Sequence, residues 1–149
     1  VRIVDCGDVP ADPRDLLGNA GRAVAAVRAI VHRGAVPIVL GGDDSIPALV
    51  LNAFEGRGPI HVLQIDAHID FRDEIEGIRD GYSSPMRRAS EMPWVERIVH
   101  VGARGVGSAR PADVADSIKC GNALITAREV REWVCSECDY FEEAEPGEG

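Results

Sequence analysis

Ile60-His61-Val62-Leu63-Gln64-Ile65-Asp66-Ala67-His68-Ile69-Asp70 is the stretch on which the reading of this chain turns. Its first six residues are rich in apolar and β-branched side chains and predict a strand over 60–65. Asp66, His68 and Asp70 then stand at alternate positions. In an extended backbone, residues i, i+2 and i+4 point to one side. Two carboxylates and an imidazole would therefore converge on one point. Oxygen and nitrogen donors of this kind suit Mn²⁺, Zn²⁺ or Fe²⁺ better than a soft thiolate site would. A water held by such an ion becomes a nucleophile near neutral pH. The competing reading is a polar loop whose carboxylates cap a helix or pair with Arg72 and Arg79.

Upstream, Arg2–Cys6 reads as a short strand and Asp12-Pro13 as an N-cap with proline in the first turn. Leu17, Ala20, Val24, Val27, Ile30 and Val31 recur at helical spacing, and Gly34 closes that helix. Val36–Leu40 predicts a buried strand, with a second helix from about Ser45 to Gly56. Between them lies Gly41-Gly42-Asp43-Asp44-Ser45. Its glycines allow a tight turn, and Asp44 or Ser45 is equally suited to capping the helix or to ligation. No Gly-Lys-Ser/Thr follows, so it is not a phosphate loop.

Downstream, residues 71–83 are polar and glycine-containing, as in a functional loop. A helix follows over Pro85–Met92, then a strand over Arg97–Val101. Gly102–Ser108 is a glycine-rich turn without the spacing of a dinucleotide fingerprint. A helix over Pro111–Cys120, a strand over Ala123–Thr126 and a helix over Ala127–Val134 complete the pattern. Alternating strands and helices predict an α/β fold with a mainly parallel sheet and right-handed crossovers. Ligands in such sheets bind beyond the carboxyl ends of strands, where the polar clusters fall. His61 and His100 lie in apolar strand patterns and read as packed, hydrogen-bonded histidines, and His32 reads as a helix-surface residue. Arg87 and Arg88 read as solvated or carboxylate-paired.

The chain has 149 residues, 45% of them hydrophobic and 28% charged, as in a soluble globular domain. No apolar run approaches the roughly 20 residues of a membrane span, and no signal-peptide pattern is present. The net charge is −9. Much of it sits in Glu137, Asp139, Glu142, Glu143, Glu145 and Glu148, so neither nucleic acid nor an anionic membrane is expected as a partner. Cys6, Cys120, Cys135 and Cys138 are too few and too scattered for a disulfide framework, and a cytoplasmic setting is expected.

Val39–Ser45 and Ile65–Asp70 together resemble the arginase/agmatinase (ureohydrolase) family. Gly81-Tyr82-Ser83-Ser84-Pro85-Met86-Arg87-Arg88 and Val101–Ser108 look like its agmatinase-type branch. The resemblance covers about residues 1 to 130. It implies a three-layer α/β/α fold and a binuclear Mn²⁺ site. It also implies hydrolysis of a small guanidino substrate, agmatine or a guanidino acid, with release of urea, often in a homo-oligomer. By that resemblance Asp66 bridges two metals, His68 binds one, and Asp70 binds the other while orienting the attacking hydroxide. Asp44 stands where the family usually has a histidine ligand. Tyr82 stands where many members have a proton-shuttling histidine, and a phenol with a pKa near 10 is a poorer shuttle. The family's later Asp-x-Asp pair has no counterpart after Val101, and the chain opens on Val1 within a strand-like run. The expectation is thus a partial ureohydrolase domain over 1–131. Its rival is a non-catalytic metal-binding module lacking half of the active site.

Trp133-Val134-Cys135-Ser136-Glu137-Cys138-Asp139-Tyr140 resembles the first knuckle of a rubredoxin-like domain. Such a site needs four thiolates and one pair is present. Residues 132–149 are therefore expected to form an acidic, disordered tail rather than a complete metal-thiolate site.

Overall fold

The computed structural model describes residues 2–105, 107 and 109–137. Three helices precede or flank the metal-type motifs: α1 (Leu16–His32), α2 (Ile46–Asn52) and α3 (Pro85–Ser90). Two more, α4 (Pro111–Lys119) and α5 (Ala127–Glu137), alternate with the later strands. The strands are β1 (Ile60–Ile65), β2 (Val95–Ala103) and β3 (Ala123–Thr126). They form one sheet in the order β1-β2-β3, with both pairings parallel. The expected α/β architecture is therefore present, and each crossover carries a helix as parallel pairing requires.

The main core lies under the end of β1. Ile69, Phe71, Met86, Ala89, Ile98 and Ala103 are buried together, with Val62, Val114 and Leu124 packed against them. A smaller cluster of Val27, Val31 and Ala53 joins α1 to the end of α2. Ile69 and Phe71 are the most deeply buried of the residues in and next to the Asp-x-His-x-Asp stretch. They flank Asp70 and are only 2% and 1% exposed, so they nail the loop that bears it into the core.

Helix α1 starts later than its sequence pattern predicts. Asp15, not Asp12, is the N-cap, and its Oδ1 accepts from the Gly18 amide at 2.9 Å. A Cβ at Gly18 would meet the Asp15 carboxylate at 1.9 Å, so the glycine makes the cap possible. Asp12 instead accepts from the Arg14 amide at 2.9 Å in the preceding turn. At the far end Gly34 takes φ 72° and its amide reaches the Val31 carbonyl, as expected of a C′ glycine.

Two expected strands do not form. Arg2–Cys6 and Val36–Leu40 belong to no sheet, and Ile3, Val36, Ile38 and Leu40 are largely exposed. An extended apolar run becomes a strand only when a neighbour takes its N–H and C=O groups. Among the described residues neither segment has such a neighbour. The same shortage shows on the sheet itself. Among the described residues β1 pairs with β2 alone, and Leu63 and Ile65 remain 64% and 78% exposed. His61 also departs from its expected packing: its ring is exposed and lies 3.4 Å from Glu96. α5 runs through residue 137, so the boundary expected after 131 falls inside a helix. The rest of the proposed tail, with Cys138, lies outside the described residues. No helix among the described residues is long and apolar enough to cross a membrane.

Candidate metal centre

Three turns deliver the site. The first, Gly41–Ser45, leads into α2. The Asp43 Oδ1 accepts from the Ser45 amide at 2.9 Å and from its hydroxyl at 2.5 Å. Those bonds hold the Asp43 carboxyl below its ordinary range. Asp43 therefore closes the turn and Asp44 is left to face the site. Gly41 is needed here because a Cβ would lie 2.9 Å from the Ile46 side chain.

The second turn follows β1. The Asp66 amide donates to the Val101 carbonyl at 3.0 Å, and the Arg104 amide donates to the Ala67 carbonyl at 3.0 Å. Thus the end of β2 pins residues 66 and 67 from outside the turn. Gly102 has φ 98°, and a Cβ there would stand 3.2 Å from the Asp66 carbonyl oxygen. The glycine-rich turn is a structural clamp on Asp66 rather than a nucleotide loop.

The third is Asp70 itself. Its φ of 46° is left-handed, an uncommon choice for a residue with a side chain. The amides of Met86 and Arg87, in the first turn of α3, donate to its carbonyl at 3.2 and 3.3 Å. With Ile69 and Phe71 buried on either side, the surroundings hold this conformation in place.

The outcome is a cluster in which carboxylate oxygens of Asp44, Asp66 and Asp70 all lie within 4.8 Å of one another. All three are half-buried. No Arg or Lys among the described residues pairs with them. Arg72 lies 3.7 Å from Asp113, and Arg79 reaches Asp73 and Glu91. Arg88 is 2.7 Å from Asp73, and Arg87 lies on Glu91 and over the Phe71 ring. The arginines that could have neutralised the triplet are committed elsewhere.

Charge crowding shows in the acids. Burial, then the neighbouring Asp44 and Asp66, pushes the Asp70 carboxyl up to about 7. Burial chiefly, with the charge of Asp66, raises Asp44 as well. Each carboxylate disfavours ionisation of its neighbour, which is the expected response of packed like charges.

His68 touches Asp66 without joining the three-carboxylate group. The Asp66 Oδ1 accepts from the His68 amide at 2.8 Å, and the His68 ring Nδ1 lies 3.3 Å from the same oxygen. The ring is largely exposed. Tyr82 lies in the turn before α3 and is 67% exposed. A cavity of about 500 Å³ opens between α1 and α2 beside Val24, Arg28 and Leu49, and none of the three aspartates lines it.

One functional neighbour has no motif in the sequence. Gln64 donates its side-chain amide to Asp70 Oδ2 at 2.7 Å. Its other end meets His100 Nδ1 at 2.5 Å. His100 is buried as expected, and burial pushes its imidazole down to about 4, so the ring is neutral. Register pairing of Gln64 with His100 across β1 and β2 is the only signal that links them, and it is not visible before the sheet is built.

The Arginase family profile matches residues 1–144. The chain belongs to the arginase family. Its relatives include the guanidinopropionase of Pseudomonas aeruginosa, 32% identical over 132 residues, which cover 87% of this chain and 41% of that protein. The mitochondrial agmatinase of Gallus gallus is 34% identical over 106 residues, covering 69% of this chain and 31% of that one. The mitochondrial guanidino acid hydrolase of Homo sapiens is 33% identical over 106 residues, covering 69% of this chain and 30% of that one. Among solved structures, the formimidoylglutamase of Bacillus subtilis superposes with a TM-score of 0.76 at 26% identity, covering 86% of this chain and 41% of that one. This arginase-family chain therefore spans well under half the length of the relatives it matches.

Proposed function

We propose that this arginase-family chain carries the Asp44, Asp66 and Asp70 ligands, with His68, of a binuclear Mn²⁺ site in a hydrolase of linear guanidino compounds. The observation that carries the reading is the carboxylate cluster without a compensating Arg or Lys. The donor set fits the ion: carboxylate oxygens with an imidazole at hand suit Mn²⁺, and the free cysteines Cys6 and Cys120 are exposed and belong to no acidic group. A divalent cation bound there would supply Lewis-acid activation of a water molecule.

The chain's own residues set the geometry for that chemistry. The clamp from β2 fixes Asp66, the α3 turn and the buried flanks fix Asp70, and Asp43 frees Asp44 to turn inward. His68, with its exposed ring 3.3 Å from Asp66 Oδ1, is the proposed nitrogen ligand. Tyr82, exposed beside the loop, is proposed as a hydrogen-bond donor in proton transfer. The guanidino class is supported by the relatives named guanidinopropionase, agmatinase and guanidino acid hydrolase. The formimidoylglutamase likeness keeps the common denominator at C–N cleavage of an amidino-type group. A cytoplasmic enzyme, assembled as a homo-oligomer, is the setting proposed for it.

Urea release from agmatine, 3-guanidinopropionate and 4-guanidinobutyrate with Mn²⁺ tests this reading. Turnover that Asp66→Ala abolishes supports it. A second reading is favoured by the share of the relatives' length that the chain spans, between 30 and 41%. In it the chain binds metal but completes a catalytic site only with further polypeptide. Mn²⁺ binding with no urea from any substrate, on a folded chain, would select that second reading.

A further inference from the structure

We infer that Gln64 is a positioning residue for the acidic cluster, set by a one-way chain of buried hydrogen bonds that runs from the Ile98 backbone through His100 to Asp70. The inference deepens the metal-site reading, but its geometric half stands apart from it.

The direction of the chain is dictated by its ends. A backbone N–H can only donate, and the lone pairs of a carboxylate oxygen accept from an amide N–H. The Ile98 amide donates to Asn122 Oδ1 at 2.9 Å, which turns the Asn122 NH₂ toward Ser117 Oγ at 3.2 Å. The single Ser117 proton is then free for His100 Nε2 at 2.9 Å. The ring must carry its own proton on Nδ1, which donates to Gln64 Oε1 at 2.5 Å. That orients the Gln64 NH₂ onto Asp70 Oδ2 at 2.7 Å. Every link has one donor and one acceptor, and no group in the chain has to compromise.

Burial makes the chain rigid. His100 and Ser117 are 2% and 3% exposed, and Asn122 and Gln64 are 8% and 9% exposed. Water is thus excluded as an alternative partner along most of it. A flipped Gln64 amide would set Oε1 against the Asp70 carboxylate and NH₂ against the Nδ1–H, two unsatisfied contacts at once. The Phe71 ring, edge-on to His100 at 6.1 Å between centroids, closes the remaining side. Asp70 is therefore held twice, by its backbone at α3 and by its carboxylate at Gln64. The rotation of the carboxylate toward the cluster is fixed before any ion arrives.

Imidazole ¹⁵N shifts in the metal-free chain at neutral pH test the geometry. The expected ring is the Nδ1–H tautomer, and an Nε2–H or doubly protonated ring would overturn the chain of bonds. Mn²⁺ titration followed by EPR tests the consequence. Gln64→Met keeps the length of the side chain and removes the donor, and its Mn²⁺ affinity should fall by about tenfold or more. His100→Leu should weaken Mn²⁺ binding too, and His100→Asn, which restores a donor near the Nδ1 position, should recover most of it. Equal losses in both His100 variants, or an unchanged affinity in a folded Gln64→Met, would overturn a positioning role. Where Gln64→Met does not fold, Ser117→Ala replaces it, with a smaller affinity loss and a mixed tautomer expected, and an unchanged affinity and tautomer counting against the proposal. A wild type that binds no Mn²⁺ would sink the metal reading alone, and the tautomer would then decide the hydrogen-bonded chain by itself.

Discussion

Asp44 and Asp70 bring carboxylate oxygens within 4.8 Å of one another, although they arrive on different turns and no arginine or lysine among the described residues pairs with either. Such a pair destabilises the chain that carries it unless a proton or an ion sits between them. Asp70→Asn keeps the shape, removes one charge and retains an oxygen for Gln64. The metal-free variant should melt higher than the wild type by roughly 4 °C, the shift expected for about 1 kcal/mol in a domain of this size. It should also lose the stabilisation by Mn²⁺. Differential scanning calorimetry with and without the ion checks both halves, and a variant that melts lower in the metal-free state would contradict the repulsion argument.

His100 and Asp70 should give stability slopes of opposite sign against pH. Burial holds His100 down at about 4, below an unfolded value near 6.5, so the unfolded chain binds more protons in that window. Its contribution is complete above 6.5 and is lost as pH falls toward 4. Asp70 is pushed up to about 7 from 3.8, so the folded chain binds the extra proton, and stability is lost as pH rises through that window. In the metal-free wild type the two oppose each other and the profile should be shallow. Asp70→Asn should destabilise steeply on acidification from pH 6.5 to 4, and His100→Asn should destabilise as pH rises from 4 to 7. Urea denaturation at several pH values would detect either slope, and parallel slopes in both variants would refute the assignment.

Gly102→Ala is expected to cost on the order of 1–3 kcal/mol. The residue needs a left-handed φ, and the added methyl would press on the Asp66 carbonyl. Because that carbonyl belongs to the clamp, Mn²⁺ affinity should fall together with stability. Gly107→Ala, also at positive φ but with open space around its Cβ position, should lower stability and leave the ion's affinity unchanged. Comparing the two by chemical denaturation and EPR separates the clamp from simple backbone strain.

Among the described residues β1 is an edge strand, with Leu63 and Ile65 exposed on one face beside it, and an apolar edge strand of this kind invites pairing with another chain. The isolated chain is expected to self-associate with rising concentration. Leu63→Lys should shift the distribution toward monomer in sedimentation velocity, and an unchanged distribution would rule out the β1 edge as the contact.

Much of this was legible from the residues because short-range signals carried it. The β1 run with its Asp-x-His-x-Asp end, the Gly34 stop, the helices α3 to α5 and the pairing of Arg87 and Arg88 with carboxylates each follow from local pattern. What escaped depends on neighbours distant in sequence. Arg2–Cys6 and Val36–Leu40 have strand composition, but pairing makes a strand and composition cannot supply the pair. His61 and His100 look alike in sequence, and only the register that sets His100 beside Gln64 separates a buried relay from an exposed ion pair. Likewise Asp43 and Asp44 are adjacent acids, and only the turn geometry gives one to Ser45 and the other to the cluster.

The central claim is that Asp44, Asp66 and Asp70 form a cation site. Mn²⁺ titration of the folded chain, followed by EPR and by the melting temperature, tests it most directly. Saturable binding that raises the melting temperature of the wild type, and does neither with Asp66→Ala, is the predicted result. An equal response from wild type and Asp66→Ala, or none from either, would contradict it.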